Sequence, residues 1–187
     1  MRPDLESVTT TARLDVRKLV EQDAETMYRY RSHPEICRYQ SWEPESLDEV
    51  REFVRRQAAV ELGPPGTWFQ LGLYLRETGE LVGDVGIQVL GDEPRQAEIG
   101  ITLAPEHHGR GLATEALRAV LGELFERRGM HRVFGSVDPD NAASIALLER
   151  IGMRREAHFL ESLWFKGAWA DDVVYAILRR EHEGRGT

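Results

Sequence analysis

A glycine-rich turn stands directly before an apolar, helix-forming run in PEHHGRGLATEAL, residues 105–117. The first N–H groups of a helix lack internal partners, and the helix dipole makes that end partly positive. Gly109 and Gly111 have no Cβ that would hold an anion away from these groups, and Arg110 adds positive charge. Each amide-to-anion hydrogen bond contributes about 1.5–3 kcal/mol. We therefore expect this turn to bind a phosphate or a pyrophosphate.

The turn fits neither of two common nucleotide-binding glycine motifs. GRGLAT lacks the Lys-Ser/Thr ending of a P-loop, and Thr114 occupies the third glycine position of a dinucleotide fingerprint. The adjacent His107 and His108 do not indicate a metal site, because neighbouring residues on a turn point apart and no H-E-x-x-H motif or cysteine cluster accompanies them. A plain glycine turn before a core helix is the structural alternative.

The composition is that of an acidic globular protein. The chain has 187 residues, 41% of them hydrophobic, and a formal net charge of -8. These numbers predict one domain, and the negative charge argues against a nucleic-acid partner. No apolar run approaches the ~18 residues of a membrane span. Cys37 is the single cysteine, which excludes an intrachain disulfide and favours the cytoplasm, with the thiol as a small buried hydrophobe.

Hydrophobic periodicity predicts the elements that position the turn. Ser46, with Glu49 three residues later, is typical of a helix N-cap, and Asp140 or Asn141 is expected to cap another helix. We expect a single α+β domain over residues 1–187, with an ordered core at about 12–180 and a disordered tail, EHEGRGT. Strands are predicted at 12–19, 67–75, 81–90, 97–103, 132–137, 153–164 and 171–178, and helices at 21–33, 46–62, 112–126 and 139–152.

Three ordered motifs resemble the GNAT acyltransferase superfamily. HHGRGLATEAL is similar to its acyl-CoA pyrophosphate loop, Gln/Arg-x-x-Gly-x-Gly/Ala, with His108 in the first position. VDPDNAASIALLERIGM, residues 137–153, resembles the second CoA-contacting segment. FKGAWADDVVYAIL, residues 165–178, looks like the closing hairpin of the RimJ/RimL-like branch. The resemblance spans residues 12–178.

The resemblance implies a mixed, mostly antiparallel sheet with a central splayed parallel pair, strands 97–103 and 132–137, flanked by about four helices. Acetyl-CoA, as co-substrate, would lie in the opening between these two strands. Its pantetheine arm would pair with Ile101 and Leu103. The further CoA-contacting positions carried over from the family are His108, Gly109, Arg110, Gly111, Leu112, Ala113 and Asn141.

The implied activity is acetyl transfer to a primary amine, either a protein N-terminus or a small molecule, by direct attack in a ternary complex. N–H groups near residues 99–101 would polarise the thioester carbonyl. Glu98 is the candidate base, with an ordinary exposed strand carboxylate as the alternative. Many members carry a tyrosine where Leu148 stands, so Ser144 becomes the candidate hydrogen-bond donor to the sulfur. Asn141 and Ser144 could instead only cap a helix.

The first two helices and the terminal hairpin are expected to form the acceptor site. Tyr39, Trp42 and Trp164 are the candidate substrate contacts. Core or dimer packing is the alternative for the tryptophans, and a homodimer stays open. Two other functions remain: a CoA-binding sensor without turnover, because the tyrosine is missing, and a nucleotide-binding module. Further acceptor-site candidates are Glu43, Trp169, Asp171 and Asp172.

Overall fold

Eight strands form one sheet in the computed structural model, which describes residues 7–61 and 64–184. The strand order is β1-β2-β3-β4-β5-β6-β8-β7. Short 3-10 turns at Glu21–Asp23 and Pro105–His107 and a π-helical turn at Glu123–Arg127 extend the helices or connect elements. In chain order the elements are β1 (Ser7–Thr10), β2 (Leu14–Lys18), α1 (Ala24–Arg31), α2 (Pro34–Cys37), α3 (Leu47–Ala58), β3 (Trp68–Leu75), β4 (Leu81–Val89), β5 (Gln96–Leu103), α4 (Leu112–Gly122), β6 (Arg132–Val137), α5 (Ala142–Arg150), β7 (Arg154–Phe165), β8 (Ala168–Leu178) and α6 (Arg179–Glu183).

The central strands β5 and β6 are parallel, whereas the other neighbouring strands pair antiparallel. Their ladder runs only from Gln96–Arg132 to Glu98–Phe134, although both strands continue beyond it. A Cβ at Gly135 would lie 3.3 Å from the Ile99 carbonyl oxygen, so a glycine suits the point where the strands begin to separate. The predicted mixed sheet with a splayed parallel pair is confirmed.

Helices cover both faces of the sheet. Successive strand side chains point to opposite sides, so apolar residues lie on both faces and each face is buried by helices. On one face, the buried side of α4 packs with strand residues such as Val16 and Leu71. On the other face, α1 and α3 pack with Tyr74 and Leu81. These two layers hold β5 and the start of α4 in a fixed relation. None of the helices within residues 7–61 and 64–184 is long and apolar enough to cross a bilayer.

Several element ends differ from the prediction. Pro34, expected to end a helix, begins the short α2, since proline fits the first position of a helix. The predicted 46–62 helix has its Ser46 cap, with Glu49 N donating to Ser46 Oγ at 3.2 Å, but it ends at Ala58. Residue 62, the end of that prediction, lies outside the described residues.

Secondary structure also extends beyond the expected core of residues 12–180. Strand β1 precedes it and pairs with β2. Residues 181–183, predicted as disordered tail, belong to α6, because Glu181 Oε2 accepts a hydrogen bond from Leu178 N at 2.8 Å and pairs with Arg154. The predicted domain also includes residues that the structure does not describe, namely 1–6, 62–63 and the tail residues 185–187.

Candidate active site

The turn of residues 108–113, called here the glycine turn, joins the end of β5 to the first turn of α4. Gly109 has φ +71° and Gly111, the N-cap of α4, has φ +75°. L side chains rarely adopt this left-handed conformation, which explains both glycines. In the described part of the chain, the backbone N–H groups of residues 109–113 donate to no protein acceptor. These groups are therefore available to an anion.

Side-chain bonds fix the glycine turn to its surroundings. His108 Nε2 lies 2.9 Å from the Leu103 carbonyl oxygen, and its backbone N–H donates to Pro105 O at 3.1 Å. The Arg110 guanidinium lies 2.9 Å from His107 Nδ1. His108 thus binds the end of β5 and offers no free main-chain donor. The Leu103 carbonyl, expected to meet the pantetheine arm, already has this partner.

Arg13 is a positioning residue for the turn that sequence reasoning missed. Its Nη1 donates to the Arg110 carbonyl oxygen at 2.9 Å, and its guanidinium pairs with Glu115 of α4 at 2.7 Å. Glu115 also accepts hydrogen bonds from Arg13 N at 2.8 Å and from the Thr11 hydroxyl at 2.5 Å. The segment of residues 11–13, which precedes β2, therefore fixes the position of the glycine turn through bonds to Arg110 and Glu115. No local pattern could show this, because the partners are about 100 positions apart.

A cavity of about 880 Å³ opens where β5 and β6 diverge. Leu103 and residues 108–113 lie outside its lining, as do Glu43 and Trp169. Asp171 and Asp172, by contrast, line it. The structure thus gathers candidates from five separate segments of the chain. The predicted catalytic, CoA-contacting and acceptor residues that line it are Tyr39, Trp42, Glu98, Ile101, Asn141, Ser144 and Trp164.

The unpaired edge of β5 presents main-chain groups to this cavity. The Ile99 carbonyl points toward β6, since it approaches the position of a Cβ on Gly135. Residues two apart in a strand direct their N–H and C=O groups to the same edge, so those of Ile101 point the same way. The β5–β6 ladder has already ended at Glu98. The edge can therefore pair with an extended ligand or polarise a carbonyl.

Glu98 lies half-buried in the cavity wall. Burial raises the pKa of its carboxyl above the ordinary value, and the negative charge of Asp172 raises it further. A carboxylate that binds its proton more tightly is a better general base near neutral pH. An ordinary exposed strand carboxylate would lack this burial. The environment is thus suited to proton transfer.

Asn141 and Ser144 meet at the start of α5. Asn141 Oδ1 accepts a hydrogen bond from Ser144 N at 3.1 Å, which makes Asn141 rather than Asp140 the N-cap. This bond uses only the oxygen of the amide, and both side chains line the cavity. Capping and contact with a ligand are therefore compatible. Leu148, which stands at the family's tyrosine position, is buried in the core.

The side of the cavity formed by residues 39–42 and 163–166 is called here the acceptor wall. Trp42 is fixed, since its Nε1 donates to Glu49 Oε1 at 2.6 Å and its ring lies 4.4 Å from that of Phe53. Trp164 is 60% exposed and meets Trp169 edge to face at 5.3 Å. Trp42 is therefore rigidly held, whereas the Trp164 side chain is open to solvent.

A buried polar network supports this wall from below. Asp84, 0% exposed, accepts hydrogen bonds from Arg31, Gln70 and Tyr30. Arg31 Nη1 also donates to Gln40 Oε1 at 3.2 Å, which connects the network to the acceptor wall. Sequence reasoning missed this network. The signal was Asp84 itself, a charge inside the apolar strand LVGDVGIQV.

The hairpin of β7 and β8 reaches across to the first helices. Lys166 Nζ donates to the Cys37 carbonyl oxygen at 2.7 Å and to Glu43 at 3.0 Å. Cys37 is 5% exposed, and burial raises the pKa of its thiol, which confirms the prediction of a small buried hydrophobe. Within residues 7–61 and 64–184, no cluster of three His, Cys, Asp or Glu side chains could hold a metal ion.

Comparison with known proteins identifies the class. The family described as acetyltransferase (GNAT) domain matches residues 13–154, and the chain belongs to this family. It is an N-acetyltransferase. The chain is 32% identical to the uncharacterized N-acetyltransferase YoaA of Bacillus subtilis over 92% of its own length and 97% of the relative's.

Two further relatives agree with this assignment. The [ribosomal protein uS5]-alanine N-acetyltransferase of Escherichia coli is 27% identical, over 90% of this chain and 89% of the relative. The crystal structure of a GNAT-family acetyltransferase from Bacillus anthracis superposes with a TM-score of 0.81 at 28% identity, covering 95% of this chain and 99% of the other. The resemblance inferred from the three motifs is therefore confirmed.

Proposed function

We propose that the protein transfers the acetyl group of acetyl-CoA to a primary amine by direct attack in a ternary complex. The observation that carries this proposal is the cavity at the divergence of β5 and β6, which has a half-buried carboxylate in its wall. An unpaired strand edge and a proton acceptor are the two features that aminolysis of a thioester requires.

Acetyl-CoA binds along the free edge of β5 in this proposal. The main-chain N–H groups of residues 109–113 hold the pyrophosphate, since helix N-termini favour anions. The Ile101 peptide group pairs with the pantetheine arm, and Leu103 contributes through its N–H, because its carbonyl is bound to His108. Asn141 contacts CoA through the amide nitrogen that capping leaves free.

The chemistry divides between Glu98 and Ser144. Glu98 removes the proton that the acceptor ammonium must lose, and the freed nitrogen lone pair then forms a bond to the thioester carbon. The N–H groups of Ile99 and Ile101, which face the free edge of β5, stabilise the negative charge that develops on the carbonyl oxygen. The C–S bond breaks with its electron pair on sulfur, and the Ser144 hydroxyl donates a hydrogen bond to the departing thiolate. The thiolate takes up the second proton that the attacking nitrogen loses, so the products are the amide and the CoA thiol.

The acceptor is a cationic amine held by the acceptor wall. Two of the lining cations are already neutralised, Arg31 by Asp84 and Lys166 by Glu43. The cavity, whose lining holds five carboxylates, therefore favours positive charge, and the aromatic rings of Trp42 and Trp164 in the wall suit an ammonium group. Similarity to the uS5-alanine N-acetyltransferase supports a polypeptide N-terminus as the first acceptor to test. The carboxylates in the cavity lining are Glu49, Glu98, Asp138, Asp171 and Asp172.

A CoA-binding sensor without turnover is the second candidate. The observation that favours it is Leu148, a buried core residue where a phenol donor is common in the family. Such a sensor binds acetyl-CoA tightly and releases no CoA with any acceptor.

The test measures CoA release and added acyl mass when the protein is incubated with acetyl-CoA and a panel of N-terminal peptides and small amines. Glu98→Gln is expected to lower kcat by roughly 100-fold or more, since a positioned base contributes about that factor. Acetyl-CoA affinity should remain within a factor of two by calorimetry.

Glu77→Gln is the matched control, because Glu77 is exposed in the β3–β4 turn and lies outside the cavity lining. Its kcat should equal that of the wild type. Tight acetyl-CoA binding by a wild-type protein that acetylates nothing in the panel would favour the sensor over the enzyme proposed here.

A further inference from the structure

We propose that Asp172 is a positioning residue for Glu98: held by the Ser136 hydroxyl, its carboxylate keeps Glu98 a strong proton acceptor in the cavity. The role of Asp172 in catalysis rests on the proposed function. The electrostatic coupling between the carboxyl groups of Asp172 and Glu98 does not depend on it. Asp172 would act on the reaction only through Glu98.

Strand register places the three groups on one face of the sheet. Glu98 of β5 pairs with Phe134 of β6, so their side chains point to the same side. Ser136 follows two residues later on that side, and its partner in β8 is Val174. Asp172 precedes Val174 by two residues and therefore shares the face as well. Glu98, Ser136 and Asp172 all line the cavity.

Ser136 fixes the Asp172 carboxylate. The Ser136 hydroxyl donates to Asp172 Oδ1 across the gap beyond the last β6–β8 pair. This hydrogen bond holds the Asp172 carboxylate on the same side of the sheet as Glu98. Burial raises the pKa of Glu98, and a like charge at Asp172 adds to this effect because it also disfavours ionisation of the carboxyl.

Several other charged groups around the cavity have hydrogen-bond partners of their own. Asp171 accepts from His158 at 2.7 Å and from Glu161 N at 2.9 Å. Asp138 accepts a hydrogen bond from Asp140 N at 2.7 Å. On β6, Arg132 binds Gln96 and Glu156. The remaining cations of the lining are Arg31, Arg56 and Lys166. Besides burial, the charge of Asp172 is what raises the pKa of Glu98.

The coupling can be measured without turnover by titrating side-chain carboxyl carbons with ¹³C NMR in the ligand-free protein. The Glu98 resonance is assigned as the one that Glu98→Gln removes. Asp172→Asn is expected to move the Glu98 midpoint to lower pH, because it removes the opposing charge and keeps the size of the side chain. The NMR spectrum of each variant also reports whether the protein is folded.

Asp171→Asn is the matched control. Asp171 also lines the cavity, but its carboxylate is bound to His158 and to Glu161 N. Removal of this neighbouring carboxylate should therefore leave the Glu98 midpoint at its wild-type value. An equal shift in both variants, or no shift in Asp172→Asn, would overturn the inference.

The catalytic part is tested on the pH profile of kcat/KM. Because Glu98 must be deprotonated to act, activity rises with pH through its pKa, and Asp172→Asn should move this acidic limb to lower pH. An unmoved limb beside a shifted NMR midpoint would overturn the positioning role. A shifted midpoint in a protein that acetylates no amine would refute the proposed function and leave the coupling intact.

Discussion

The glycine turn and the acceptor wall differ in which part of the chain provides their binding groups. The turn presents main-chain N–H groups whose geometry follows from two left-handed glycines. The wall presents side chains from two segments more than 100 residues apart, supported by the buried Arg31–Asp84 pair. Anion binding by the turn should therefore depend on its backbone conformation more than on the charge of Arg110, whereas the wall depends on individual side chains.

The largest effect, on the free energy of unfolding, is expected at the buried Arg31–Asp84 pair that supports the acceptor wall. Arg31→Ala leaves Asp84 buried without its cation, which should lower the free energy of unfolding by about 3–5 kcal/mol. Urea denaturation measures it. Arg51→Ala, which breaks an exposed pair with Asp48, is the control and should cost less than about 1 kcal/mol. An equal loss of unfolding free energy in the two variants would mean that the buried Arg31–Asp84 pair contributes no more to stability than an exposed pair, and so does not support the wall.

The glycine turn should respond to backbone strain. Gly111→Ala is expected to raise the KM for acetyl-CoA by roughly tenfold, because a displaced N–H loses a hydrogen bond worth about 1.5–3 kcal/mol to the anion. Gly129→Ala provides a matched control, since Gly129 has φ +68° and open space around it. Both variants bear similar strain, about 1–2 kcal/mol. Steady-state kinetics should separate them, and a similar KM in both would contradict the assignment of the turn.

The turn could be predicted from sequence because its determinants are local. Two glycines before an apolar helix specify left-handed φ values and free N–H groups within a few residues. The bond from Arg13 to the Arg110 carbonyl escaped prediction, since it depends on how β2 lies beside α4. The positions of β2 to β8 followed from periodicity in the same way, whereas β1 was not predicted. The short helices α2 and α6 did not, because single bonds at their ends decide them.

The wall is expected to show smaller, side-chain-specific effects. Trp164→Ala should raise the KM for the acceptor by about three- to tenfold, within the range of an exposed or partly desolvated cation–π contact. Trp169 is also 60% exposed in the same aromatic pair but does not line the cavity. Trp169→Ala should therefore leave this KM nearly unchanged. Kinetics with the best acceptor of the panel would check both, and equal effects would mean that the pair acts only through packing.

The wall could be predicted only in part. The family resemblance placed the acceptor site at the first helices and the terminal hairpin, and aromatic type there suggested Tyr39, Trp42 and Trp164. All three line the cavity. The same reasoning also suggested Trp169, which pairs with Trp164 across the β7–β8 hairpin but lies outside the cavity lining. Gln70 was missed, since its role depends on contact with Asp84 in the neighbouring strand.

The smallest effect separates side-chain charge from main-chain donors at the glycine turn. Arg110 is the cation within the turn, yet its guanidinium binds His107 Nδ1 at 2.9 Å. If the N–H groups of residues 109–113 provide the anion site, Arg110→Ala should change the KM for acetyl-CoA less than threefold, well below the effect of Gly111→Ala. Measuring both variants at low and high salt tests this further, because a side-chain charge contributes more at low ionic strength. A tenfold, salt-sensitive loss in Arg110→Ala would show that the turn, like the wall, binds through its side chains.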